Sequence, residues 1–87
     1  MGTTEAEWLM RLPEAIGAAP WMREGTQVTV QLEGGRLQIR WRPLPARVIA
    51  LMRMPRLEVA FVFEGLGDDE RLQFMRRFDL CMQRGGG

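Results

Sequence analysis

The chain has 87 residues, 46% hydrophobic and 26% charged, a composition that fits one globular domain and excludes a disordered chain or two separate cores. Its net charge of +1 conceals a division: residues 36–56 carry six arginines (36, 40, 42, 47, 53 and 56) and no acid, while the segments on either side carry −3 and −2. There is no histidine, so the most common acid–base group and metal ligand is missing.

The positive charge is all arginine, with no lysine. Planar forked donors could explain that choice, but abundant Gly, Ala, Pro and Arg together fit the codon bias of a GC-rich genome more simply. The opening residues, MGTTEAEWLM, have no basic region and no long apolar run, so they read as neither a secretory signal nor a membrane anchor. Cys81 is the single cysteine and cannot staple the fold. A reducing compartment, the cytoplasm, is the expected location.

Taken in chain order, Ala6, Trp8, Met10 and Leu12 alternate with polar or mixed positions and predict a first strand. Residues 13–25 hold two prolines and two glycines and predict a loop, with at most one helical turn at Glu14–Ala18. TQVTVQLEGGRLQIRW then gives two alternating runs around Gly34-Gly35, a predicted hairpin closing on that pair. Closure there sets Glu33 against Arg36, Val30 against Ile39, Val28 against Trp41, Thr29 against Arg40 and Gln27 against Arg42. One face is then apolar and the other polar. Residues 45–54 read as a strand in preference to a short helix, because Val48 and Ile49 favour strand. A wide connection near Pro55 leads to a further strand over 57–64. This second hairpin would match Arg53 with Glu58 and Arg47 with Glu64, with Leu57, Val59, Phe61 and Phe63 toward the core.

The last element is a helix beginning at Asp68-Asp69-Glu70, acids suited to its positive end. Phe74, Met75, Phe78, Cys81 and Met82 fall on one arc, with Leu80 on the opposite side. Residues 83–87 form a glycine-rich tail, expected to fray after a glycine cap. A terminal diglycine can be a conjugation site, but here it follows a helix, and capping is the simpler reading. The expected architecture is one α+β domain over residues 1–87. It has a small, mostly antiparallel sheet of about five strands, with two hairpins, packed on one C-terminal helix.

No catalytic residues, cofactor site or metal site stand out. Asp68, Asp69 and Glu70 are adjacent acids explained by the helix start, and nothing in their spacing demands convergence on a cation. Cys81 lies near a helix C-terminus, on the apolar face and without a histidine, and reads as an inert core residue. Two binding surfaces remain. Ile49, Leu51, Ala60 and Val62, rimmed by Arg47 and Arg53, form an apolar strip on the face away from the core, suited to a second copy or a protein partner unless the N-terminal loop with Ile16, Trp21 and Met22 covers it. Arg36, Arg40 and Arg42 on the polar face of the hairpin offer a site for single-stranded nucleic acid, with Trp41 or Trp21 as a stacking platform if exposed. The favoured reading is a non-enzymatic protein-interaction or accessory domain, a homodimer, with nucleic-acid binding as the alternative.

Overall fold

The computed structural model describes residues 3–49 and 52–85, with the main chain alone at Ile49, Arg53, Met54 and Arg84. The elements are α1 (Glu5–Ile16), β1 (Trp21–Glu24), β2 (Gln27–Leu32), β3 (Gly35–Ile49), β4 (Met52–Glu64) and α2 (Asp68–Gly85). The strands form one antiparallel meander in the order β1-β2-β3-β4. The described residues thus contain four strands instead of about five, and two helices instead of one.

The first correction is at the N-terminus, where the expected strand over 6–12 is helix. Alternation selected Met10, which is exposed, whereas the buried residues Trp8, Leu12, Ala15 and Ile16 recur at helical spacing. Thr4 caps the helix by accepting from the Glu7 main-chain N–H at 3.2 Å. Gly17, at φ 85°, ends the helix by donating to the Pro13 carbonyl at 3.1 Å. Residues 13–25, expected as loop, therefore complete α1 and then supply β1.

The second correction concerns registry. The first hairpin turns on Glu33-Gly34, with Leu32 opposite Gly35, Val30 opposite Leu37 and Val28 opposite Ile39. This is a slip of two residues from closure on Gly34-Gly35, and a slip of two preserves which face each side chain occupies. The cause lies in the neighbouring strand. A Cβ on Gly35 would sit 2.1 Å from the Glu64 carbonyl oxygen, and one on Gly65 would sit 2.8 Å from the Gly34 carbonyl oxygen. The end of β4 presses on the turn, so Gly35 belongs to the ladder.

The third correction removes a strand. β3 runs unbroken through Pro43 and Pro45, with a register shift between Leu44 and Arg47, and the residues expected as two strands form one. β2 pairs no farther along β3 than Arg40, and the last main-chain bond on that side is from Trp41 to the Thr26 carbonyl at 3.0 Å, so from Pro43 onward β4 is the neighbour of β3 among the described strands and proline is tolerated. Residues 45–49 are strand, as expected over the helical alternative. Pro55 lies inside β4 and not at its connection. Leu37, Ile39, Trp41 and Pro43 face Phe63, Phe61, Val59 and Leu57, so 57–64 pairs with the first hairpin and not with 47–54.

The core lies between the sheet and both helices. Val28, Val30, Leu37, Ile39, Trp41 and Leu57 are buried from the sheet, Trp8, Leu12, Ala15 and Ile16 from α1, and Phe74 and Phe78 from α2. Its rings interlock, with Trp8 5.8 Å from Trp41 and 5.7 Å from Phe78, and Phe61 edge-on to Phe78 at 5.2 Å. Met75, Cys81 and Met82 pack around this cluster, and Leu80 is exposed, as the helical arc required.

Candidate interaction surface

Because α1 and α2 both pack on one side, no described element covers the opposite face of the sheet. Strand alternation sends Gln27, Thr29 and Gln31 of β2, Arg36, Gln38, Arg40 and Arg42 of β3, and Arg56, Glu58, Ala60, Val62 and Glu64 of β4 to that face. Among the described residues, two ion pairs cross it. Arg36 donates to Glu64 at 2.7 Å and Arg42 to Glu58 at 2.5 Å. Each joins residues that are directly opposite in the β3–β4 register. The expected matches Glu33–Arg36, Arg47–Glu64 and Arg53–Glu58 are displaced, since Arg47 stands opposite Met54 and Arg53 opposite Val48.

Among the nucleic-acid candidates, then, Arg36 and Arg42 are engaged by carboxylates. Arg40 lies between those pairs, with Gln27 on one side and Ala60 on the other, and has no acidic partner among the described residues. Trp41 is in the core, where its indole N–H donates to the Glu5 carboxylate at 2.9 Å, so it offers no stacking face. Trp21 is 39% exposed and, with Met22 and Thr29, lines a shallow concavity of about 330 Å³ between β1 and β2.

The apolar candidates divide. Ala60 and Val62 are exposed on the face away from the helices, opposite Arg40 and Gln38, and Val62 is 45% exposed. The N-terminal segment does not cover them: Ile16 is buried on the helix side, and Trp21 and Met22 extend the sheet as β1. Arg47 is exposed and pairs with Met54, six residues along β4 from Ala60 and about 20 Å away at ~3.3 Å per residue. Ile49 is in register with Met52 and Arg53 with Val48, while Leu51 lies outside the described residues. The structure thus keeps Ala60 with Val62 and sets Arg47, Ile49 and Arg53 on an arm.

That arm is the β3–β4 hairpin beyond the Pro43–Leu57 pair. Past Leu57 no described residue of either strand is buried, and Val48 and Met52 are each 66% exposed. The molecule is accordingly elongated, 47 × 25 × 21 Å, with a radius of gyration of 14.0 Å. A compact chain of this length would have about 12 Å.

The acids proposed as a helix start sit in the first turn of α2, where Asp68 pairs with Arg71. Among the described residues no three histidine, cysteine or acidic side chains converge to hold a metal ion. The Cys81 thiol is half-buried, 4.0 Å from the Glu14 carbonyl oxygen. No helix among the described residues is long and apolar enough to cross a membrane.

Glu58, Glu64, Ala60 and Val62 share a face as expected, whereas Arg56, expected at the connection, joins them at the start of the stretch. Arg56 and Glu64 end the stretch beyond Pro55, and their shared face with Ala60 and Val62 follows from period-2 alternation alone. No family model matches the chain, and neither a curated protein nor a solved structure matches it.

Proposed function

We propose that this protein is a non-enzymatic interaction domain that acts in the cytoplasm through protein contacts, self-association among them. The observation that carries the reading is the one-sided placement of the helices, which leaves a sheet face, with Ala60 and Val62 on it, uncovered by the described residues. Small domains bury too little area to be generously stable alone, and a partner on an open sheet face adds the missing layer. The absence of histidine and the single cysteine fit a protein without catalytic chemistry in a reducing compartment.

A second reading is favoured by one feature: Arg40 is exposed and has no acidic partner among the described residues, on a β3 that carries no acid along its length. Single-stranded nucleic acid is the polyanion that this face could take.

Sedimentation at low and high salt, with and without a random-sequence oligonucleotide, separates the two. The interaction reading expects a dimer at micromolar concentration that persists in high salt and ignores the oligonucleotide. A monomer whose oligonucleotide complex weakens steeply with salt, and is lost in the R36A/R40A/R42A variant, would replace it with the nucleic-acid reading.

A further inference from the structure

The two edges of the sheet differ in how they are protected. β1 is four residues long and contains Arg23 and Glu24, a short charged edge of the kind that discourages pairing. β4 spans 13 residues, and no described strand lies on its far side. Between Arg56 and Glu64 it reads LEVAFVF, with Glu58 its only charge. A long, apolar, weakly charged edge is a template for another strand.

We propose that β4 pairs antiparallel with β4 of a second copy over Arg56–Glu64, about a two-fold axis at Ala60. This rests on the self-association reading and places the contact at the sheet edge, leaving the open face free. Four features of β4 select this register. Pro55 has no N–H to give a ladder, and Gly65 leaves the extended conformation at φ 79°, so the stretch available for regular pairing is 56–64 and its midpoint is Ala60. The ends of that stretch are oppositely charged, so antiparallel pairing sets Arg56 of each copy against Glu64 of the other. The residue at the axis, which must face its own image, is small and uncharged. On the helix side Val59 meets Phe61 of the second copy; both are half-buried and packed at the border of the core.

The adjacent registers fail on charge or geometry: an axis at Phe61 sets Glu58 against Glu64, and one at Val59 draws Pro55 opposite Phe63 and leaves Arg56 against Val62. An axis at Arg56 or Glu58 sets like charges face to face. An axis at Leu57 also joins Arg56 to Glu58, but it draws Pro55 into the ladder. The axis must pass through a residue and not between two, because facing residues must share a side of the sheet. Arg56 has no ion-pair partner among the described residues, whereas Glu64 is held by Arg36 and would then bridge two arginines. Pairing at Ala60 also carries each cationic arm past the end of the other copy's β4, toward the Asp68-Asp69-Glu70 start of its α2. The arginine block is then matched by acids of a second molecule. The product is one continuous sheet of twice the width, with roughly one main-chain hydrogen bond per residue of the paired stretch.

Two measurements test this in a C81S background. Facing residues are about 4.5–5.5 Å apart at Cα, within disulfide reach, so A60C should cross-link to itself under mild oxidation, and V62C should not. R56E and E64R, each alone, should weaken the dimer roughly tenfold or more in sedimentation. Mixed in equal amounts they should form a heterodimer, because both end pairs are then opposite in charge. Circular dichroism of each variant checks the fold; Ala60 and Arg56 are exposed, so those two variants suffice if E64R does not fold. A dimer in which A60C stays unlinked, or which R56E leaves unaffected, overturns the β4 pairing while self-association through another surface stands. A wild-type monomer at several hundred micromolar overturns both.

Discussion

Gly35 and Gly65 are where a single atom decides the sheet. Each is in contact with the main chain of the other's strand end, and a Cβ on Gly35 would lie 2.1 Å from the Glu64 carbonyl oxygen. Main chain cannot move aside as a flexible side chain can, so Gly35→Ala should cost about 3 kcal/mol, in the range of overpacked interiors. Gly25 supplies the comparison, since it is at φ 60° with nothing within 4 Å of its added Cβ. Gly25→Ala meets only the left-handed backbone penalty, about 1 kcal/mol. Urea denaturation of the two variants should lower the midpoint more for Gly35→Ala, and the reverse order would mean that β4 does not press on the turn. The arginines teach a related lesson. The same six residues look like one cationic block in sequence, yet Arg36 and Arg42 are each answered by a carboxylate from β4. Such exposed pairs are worth about 0.2–1 kcal/mol each, so they balance the surface more than they hold it.

At the scale of elements, α1 shows how a correct local signal can be outweighed by a weaker one. Thr4-Glu5-Ala6-Glu7 has the form of a capping box, and Trp8, Leu12, Ala15 and Ile16 fall on one helical stripe. Over so short a segment, the alternation of Ala6, Trp8, Met10 and Leu12 is equally visible, and Pro13 discourages a helix. Burial decides between them, because Met10 is 73% exposed whereas Ala15 and Ile16 are wholly buried. The helix is tied to the sheet by the Trp41 indole N–H on the Glu5 carboxylate, a part-buried bond of 2.9 Å. A double-mutant cycle of Trp41→Phe and Glu5→Ala should return a coupling of about 1 kcal/mol. A value near zero would show that packing alone holds α1 in place. Trp8 contributes by packing only, since its buried indole N–H has no hydrogen-bond partner in the described structure.

At the scale of the whole molecule, the body and the arm obey different energetics. The body buries two tryptophans and two phenylalanines among its core residues, while the arm beyond Leu57 buries none of its described residues. A two-stranded ribbon is marginal in water without something to pack on. Replacing residues 45–55 with Asn-Gly, a turn suited to joining Leu44 to Arg56, should therefore change stability by less than about 1 kcal/mol. Small-angle scattering of the shortened monomer should show its radius of gyration falling toward ~12 Å. A large loss of stability would place the arm within the folding unit. In the dimer proposed above the same deletion removes the cationic extension that passes the second copy, and it leaves the paired stretch 56–64 intact.

Which faces are apolar was legible from period and composition: the β2–β3 hairpin, the core side of 57–64, the arc of α2 and the placement of Trp41. These are local properties, and a slip of two residues leaves them unchanged. The registry, the strand count and the pairing of the arginines were settled only by tertiary structure. Each depends on which strand end meets which turn, a contact between Gly35 and Glu64 that no local pattern encodes. The same contact aligns β4 with β3 and so sets Arg36 against Glu64 and Arg42 against Glu58. The open sheet face has the same origin, because it exists only through the decision of both helices to share one side of the sheet.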